Sequence, residues 1–110
     1  MKALALAKIA DWDDDHLGRR LRLRDLRVFF AVVEAGSLTK AAKRLRVSHP
    51  AVSQVIADLE RVLGVQLFDR TTRGVEPTRY ARALLVRGRA AFDELRQGMR
   101  DIEFLADLTC

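Results

Sequence analysis

The sequence predicts a mainly α fold: three short helices, a small β-hairpin and then one long helix. Three observations predict it. Apolar residues recur at helical spacing from Leu23 to Leu63. The period then shortens around a turn signal between Val65 and Pro77. Finally, a heptad pattern runs from Leu85 to Ala106. At 110 residues and 49% hydrophobic content, the chain is suited to one small folded domain. The expected division is an extension over 1–21, a compact unit over 22–78 and a terminal helix over 79–110.

Residues 1–21 read as an extension, with a short helix near Leu4, Ala7 and Ile9 and a polar break from Asp13 to His16 and at Gly18. Trp12 reads as a local packing anchor and His16 as solvent exposed. The next helix is Leu23–Ala35. Leu23, Leu26, Phe29, Phe30 and Val33 give it one apolar face, and Gly36 ends it as a C-terminal cap. Ser37 can cap a second helix, Leu38–Leu45, whose inward face is Leu38, Ala41, Ala42 and Leu45. The small Ala41 and Ala42 allow close approach of another helix. After a short turn at Arg46-Val47, Ser48 caps a third helix, with Pro50 in its first turn, where a missing N–H costs nothing. Val52, Val55, Ile56, Leu59 and Leu63 form its buried face, and Gly64 stops it.

Val65-Gln66-Leu67-Phe68 and Val75-Glu76 read as two short strands around the turn Thr71-Thr72-Arg73-Gly74, ended by Pro77. The expected hairpin tip carries Arg70 and Arg73. Thr78 caps a last helix running to about Ala106. Its residues Leu85, Gly88, Phe92, Leu95, Met99, Ile102 and Ala106 are spaced alternately three and four apart. Such a seam meets either a partner helix or the chain's own domain. The heptad spacing favours a partner helix, hence dimerisation. Phe29, Phe30 and Phe68 read as core, and Phe92 and Met99 as seam residues rather than a cofactor box.

Charge separates the regions. Residues 1–21 balance 4 basic against 4 acidic side chains, residues 22–89 carry 14 against 6, and residues 90–110 carry 2 against 5. A basic middle followed by an acidic end suggests a polyanionic partner for the middle alone. One cysteine, Cys110, excludes an intramolecular disulfide, and with two histidines it builds no zinc cage; no cofactor or metal is expected. No nucleophile–base pair, phosphate loop or metal-ligand spacing supports an enzyme. No segment is apolar enough over a sufficient length to span a membrane, and the start does not resemble a secretory signal.

Two short helices joined by a tight turn form a helix-turn-helix, in which the first braces the backbone and the second lies in the major groove. The brace is Leu38–Leu45 and the reader His49–Leu63. His49, Pro50, Ser53 and Gln54 occupy the reader's exposed start, and glutamine can pair bidentately with adenine. Ser37, Thr39 and Lys40 cluster at the brace's N-terminus, where backbone N–H groups favour a phosphate, as they do at Ser48. Arg70 and Arg73 at a hairpin tip are candidates for a minor groove, with Arg70 alternatively paired to Asp69 or Glu60. Three helices with such a hairpin make a winged helix-turn-helix.

The run from Ser37 to Gln54, with Leu59-Glu60 and Leu63-Gly64-Val65-Gln66-Leu67-Phe68-Asp69-Arg70, resembles the signature of LysR-type transcription regulators. The similarity extends over about Leu23–Ala106. It implies a helix-turn-helix over 37–56, a wing, a linker helix that pairs two protomers, and a large effector-binding domain absent from these residues. It also implies DNA contacts at Ser37, Thr39, Ser48, His49, Pro50, Ser53, Gln54, Arg70, Arg73 and Thr78. Three departures stand out. Many members carry Gln at the position of His49 and often Arg at that of Gln54, so base preference does not carry over. Pro77 replaces the usual apolar residue before Thr78, and Ala81 stands in place of a usual Gly. Phe104-Leu105-Ala106-Asp107 reads as the end of a linker helix leading onward in a longer protein, so an excised piece is the expectation.

The expected function is therefore sequence-specific recognition of inverted repeats in double-stranded DNA by a homodimer, in the bacterial cytoplasm at the nucleoid. A small-molecule effector would belong only to a further domain. The alternative is a basic helical protein-interaction or dimerisation module with an acidic protein partner. Structured RNA satisfies the charge but offers a major groove too narrow for the reader.

Overall fold

The computed structural model describes residues 20–109. The expectations for the extension up to residue 19, Trp12 and His16 among them, and for Cys110 lie outside the described residues. The described elements are α1 (Leu23–Ala35), α2 (Leu38–Leu45), α3 (His49–Leu63), β1 (Phe68–Thr71), β2 (Gly74–Pro77) and α4 (Arg79–Thr109). The mainly α architecture with a hairpin and a long last helix is therefore the one the sequence predicts.

Helices α1 to α3 pack around one core. Phe29, Val32, Ala41 and Leu67 have about no exposed surface, and Val52 and Leu59 almost none. Ala41 and Ala42 are both buried where α2 meets its neighbours, as their size allows. The α1 face is rotated slightly from expectation. Leu26, Phe29 and Val32 are buried, Val33 is half-buried, and Leu23 is 51% exposed because it lies in the first turn, outside the three-helix contact. Leu21 packs against the core, so the compact unit begins just before α1.

Helix ends follow the local chemistry. Gly36 and Gly64 take left-handed conformations at φ 69° and 72° and close α1 and α3. Ser37 and Ser48 accept from the backbone N–H of Lys40 and Ala51, each at 3.2 Å. Between α2 and α3, Arg46 is left-handed without being glycine, at φ 58°. The strain is offset by the amides it directs backward: Val47 N–H donates to Ala42 O at 3.0 Å and Arg46 N–H to Lys43 O at 3.2 Å.

The hairpin departs from expectation at its first strand. Val65 to Leu67 are not in a strand; β1 begins at Phe68 and pairs antiparallel with β2 in the register Phe68–Pro77, Asp69–Glu76, Arg70–Val75 and Thr71–Gly74. Val65 and Leu67 are apolar because they are buried, at 7% and 0% exposure. Their segment finds hydrogen bonds in a carboxylate instead of a strand partner. Glu60 accepts from Leu67 N–H at 2.7 Å and Phe68 N–H at 3.4 Å. Arg70 accordingly lies within β1 rather than at the tip, and the turn holds Thr72 and Arg73. Pro77 belongs to β2, tolerated because each strand of a two-stranded ribbon has an outer edge.

Two glycines fix how outer elements dock. Gly74 has φ 135°, and a Cβ there would lie 2.2 Å from the carbonyl oxygen of Gly36. Val75 N–H donates to that same oxygen at 3.1 Å, which clamps the wing to the α1–α2 turn. On α4, a Cβ at Gly88 would meet the Phe30 ring at 3.0 Å. Phe30 in turn packs edge-on against Phe92, with centroids 5.3 Å apart. Ala81 is fully buried, and Tyr80, Leu84 and Leu85 pack on the core. The first third of α4 is thus part of the winged unit. Beyond Phe92, Leu95, Met99 and Ile102 are 48%, 64% and 67% exposed. Among the described residues, no helix is long and apolar enough to cross a membrane, and no group of three or more His, Cys, Asp or Glu side chains gathers as for a metal.

Candidate nucleic-acid interface

Three elements converge on one side of the molecule. Ser37, Leu38 and Thr39 at the start of α2, His49 at the start of α3, and Arg70, Thr71, Thr72, Gly74 and Val75 of the wing line a shallow concavity of about 300 Å³. The convergence follows from backbone connections already described. The Gly36 carbonyl holds Val75, so the wing lies beside Ser37, and the left-handed turn at Arg46 brings the start of α3 alongside.

The strand pleat sorts the wing's charges. Alternation puts Phe68 and Arg70 with Val75 and Pro77 on one face, and Asp69 with Glu76 on the other. Arg70, Phe68 and Val75 line the hollows against α2 and α3, whereas Asp69 and Glu76 do not. The like-charged pair directly across the strands is kept away from the concavity, and a cation faces into it. Among the described residues Arg70 forms no ion pair, and Glu60, one of its expected partners, is engaged by the Leu67 and Phe68 amides. Arg73 is exposed in the turn, where its N–H donates to Thr71 Oγ1 at 3.2 Å.

The two helix starts offer different chemistry. At α2, the Ser37 cap satisfies Lys40 N–H and leaves those of Leu38 and Thr39 without an acceptor among the described residues. At α3, Pro50 has no N–H and the Ser48 cap satisfies that of Ala51, so His49 supplies the one remaining donor. The start of α2, with exposed Thr39 and Lys40, is thus the better anion cradle. The start of α3 presents side chains: Ser48, His49, Pro50 and Gln54 are exposed and Ser53 is half-buried.

Thr78 has a structural task. Its hydroxyl donates to Gln66 O at 2.6 Å and accepts from Ala81 N–H at 3.3 Å, while its own N–H donates to Leu67 O at 2.9 Å. It joins the wing's exit, the buried connecting segment and the start of α4. Sequence reasoning passed over three other residues of the exposed α3 face. Ala57 is exposed one turn after Ser53. Asp58 accepts from Gln54 Nε2 at 2.9 Å and from Arg61 Nη2 at 2.7 Å. These hydrogen bonds, Arg61 first and Gln54 second, hold the Asp58 carboxyl below its usual pKa of 3.8. The spacings of three and four residues were the available signal.

The predicted seam divides in two. Gly88 is buried and Leu85 and Phe92 half-buried within the chain itself, whereas Leu95, Met99, Ile102 and Ala106 are exposed. Val86, Phe104 and Leu108, each about two-thirds exposed, lie off that stripe, as does Leu105.

Comparison with known proteins gives the same answer as the geometry. Residues 23–82 match the family of bacterial regulatory helix-turn-helix proteins of lysR type. The chain is 38% identical over 96 residues to the HTH-type transcriptional regulator GbpR of Azospirillum brasilense, covering 87% of this chain and 27% of that protein. It is 46% identical over 80 residues to the uncharacterized HTH-type transcriptional regulator y4mQ of Sinorhizobium fredii, covering 73% and 27%. The chain thus spans about a quarter of the length of these relatives. Among solved structures, the BenM DNA-binding domain in its complex with catB site 1 DNA superposes with a TM-score of 0.75 at 33% identity, over 82% of this chain and 97% of that one. The proteins matched are transcription regulators rather than enzymes. With a family match over more than half its length and a winged helix-turn-helix fold to carry it, the chain belongs to the lysR family of bacterial regulatory helix-turn-helix proteins.

Proposed function

We propose that the chain is the DNA-binding part of a bacterial transcription regulator, acting at the nucleoid and reading inverted-repeat sites in double-stranded DNA as a homodimer. The observation that carries the reading is the concavity into which the starts of α2 and α3 and the Arg70 face of the wing all open. The start of α2 takes a backbone phosphate through the Leu38 and Thr39 amides, aided by Ser37 and Lys40. The exposed start of α3 enters the major groove, with His49, Pro50, Ser53 and Gln54 at base edges and Ser48 at its rim. Arg70 and Arg73 follow the adjacent phosphates or minor groove. Thr78 acts through the wing's position rather than by contact, because its hydroxyl is already engaged.

Two protomers pair through the exposed part of α4, with Leu95, Met99, Ile102 and Ala106 at the seam. Leu85, Gly88 and Phe92 set the angle at which that helix leaves each winged unit. A two-fold dimer places two reading helices in inverted orientation, so the site is an inverted repeat. A small-molecule effector would act only if a longer protein carries a further domain.

The test is selection from a randomised duplex library followed by sequencing, with binding measured by fluorescence anisotropy as salt is varied. Enrichment of an inverted repeat is expected, with affinity falling steeply as salt rises. Gln54→Ala should flatten preference at one base pair per half-site. Arg73→Ala should weaken all duplexes alike and reduce the salt slope by about 1. Salt-sensitive binding without enrichment would replace this reading with a basic protein-interaction module.

A further inference from the structure

The exposed face of α3 carries a hydrogen-bonded chain of three side chains that continues from its base-reading end. Gln54 Nε2 donates to Asp58 Oδ1 at 2.9 Å, and Arg61 Nη2 donates to the same oxygen at 2.7 Å. Gln54 and Asp58 are one turn apart, as are Asp58 and Arg61. We infer that Asp58, anchored by Arg61, is a positioning residue that fixes the Gln54 amide in one orientation and thereby sharpens discrimination for adenine at one base pair. The inference rests on the reading that Gln54 meets a base edge.

The argument turns on what a glutamine amide can offer. Its two faces differ: one is an acceptor oxygen, the other an NH2 with two donors. An unrestrained amide can flip and present either arrangement, and so accepts more than one base. Asp58 removes that freedom. An ionised carboxylate only accepts, so Gln54 must turn its NH2 toward it; the flipped form would place oxygen against oxygen. One N–H is then engaged by Asp58, and the second N–H and the carbonyl oxygen remain. Those two groups are the bidentate complement of adenine, with N7 accepting and N6 donating. Guanine presents two acceptors, N7 and O6, and meets the glutamine oxygen unfavourably.

Arg61 is what makes a carboxylate tolerable there. Without it, Asp58 would add a negative charge answered only by the weaker influence of Arg22 to a helix that approaches phosphates. The Arg61 hydrogen bond is the first cause, and the Gln54 hydrogen bond the second, of the lowered pKa of a carboxyl already ionised at neutral pH. Both side chains of the pair are well exposed, Arg61 at 75% and Asp58 at 43%. Neither belongs to the buried core, so substitutions can be made without opening a cavity.

The test has one arm without DNA and one with it. In the free protein, nitrogen-15 relaxation of the Gln54 side-chain NH2 should report restricted motion that increases in Asp58→Ala. Equal mobility in the two proteins would overturn the contact whatever the chain binds. In the second arm, wild type, Gln54→Ala, Asp58→Ala, Asp58→Asn and Gln54→Ala/Asp58→Ala are compared on the selected duplex and on its single-base variants. Thermal melts confirm that each is folded. Gln54→Ala is expected to flatten preference at one pair. Asp58→Ala should reduce preference at that same pair by roughly fivefold, within the range of a bidentate base contact. The double variant should lose no more than Gln54→Ala alone. Asp58→Asn should fall between, since its amide can turn an oxygen toward Gln54 but does not enforce it.

A flattened profile for Gln54→Ala with an unchanged one for Asp58→Ala would overturn the positioning role and leave the DNA reading intact. A uniform gain in affinity for Asp58→Ala on all duplexes would reduce Asp58 to a charge effect and also overturn it. No change of profile with Gln54→Ala would overturn the base contact itself, and the inference with it.

Discussion

The two ends of α4 carry one apolar stripe and use it differently. From Ala81 to Phe92 the stripe is answered within the chain: Ala81 is fully buried, Phe30 covers Gly88, and Phe92 meets the Phe30 ring. From Leu95 to Ala106 the same spacing continues with no covering residue among those described, and Met99 and Ile102 are about two-thirds exposed. A heptad pattern therefore reports that a face is to be covered, not what covers it. The covered end is small at Ala81 and Gly88, where the domain approaches most closely. The exposed end carries Leu, Met and Ile, which suit insertion between the side chains of a second helix.

If the exposed end is the proposed seam, Ile102→Asp gives the largest effect. A charge introduced twice into an apolar two-fold contact should raise the dimer dissociation constant about a hundredfold or more, read by sedimentation velocity. The winged unit should keep its fold, shown by an unchanged circular dichroism spectrum. A variant that still sediments as a dimer would remove Ile102 from the interface. Phe30→Ala tests the covered end. The ring packs on Phe29, Gly88 and Phe92, and its loss should cost about 3 kcal/mol in denaturant unfolding. It should leave association through the far end largely intact. Loss of the dimer with Phe30→Ala in a folded protein would show that the exit angle of α4 governs pairing.

A smaller effect is expected at the joint between wing and helix. Thr78→Val removes a 2.6 Å hydrogen bond to Gln66 O and the cap on Ala81 N–H, at a cost of about 1 kcal/mol. Because the hydroxyl is engaged inside the chain, DNA affinity should fall alike on all duplexes if the wing shifts. A change in base preference at one position would instead restore a direct contact for Thr78.

Much of this was legible in local sequence. The three helices of the winged unit have the limits that caps and glycines predict, because Ser37, Ser48, Gly36 and Gly64 act on their immediate neighbours. Val65 to Phe68 misled because an apolar run of that length is common to a strand and to a buried connection. What separates the two is Glu60, near the end of the preceding helix, whose carboxylate takes over the Leu67 and Phe68 amides. The fate of Gly88 and Phe92 was hidden because Phe30, more than fifty positions earlier, decides it. Of the candidate contacts, Ser37, Thr39, His49 and Arg70 come together around the concavity. The link from Gln54 to Asp58 was present in the spacing but drew no attention as one polar pair among many.

The weakest link between α4 and α1 sharpens the contrast further. Arg89 and Glu34 approach to 3.7 Å just beside the Phe30–Phe92 contact, with side chains 53% and 57% exposed. Water screens a pair that open to solvent, and two long side chains lose freedom to form it. Glu34→Gln should therefore change unfolding free energy by no more than about 0.5 kcal/mol, against about 3 kcal/mol for the ring one turn away. Raising salt should shrink even that difference. If Glu34→Gln instead rivalled Phe30→Ala, charge rather than aromatic packing would hold the covered end of α4 to its domain, and the small residues at Ala81 and Gly88 would need another explanation.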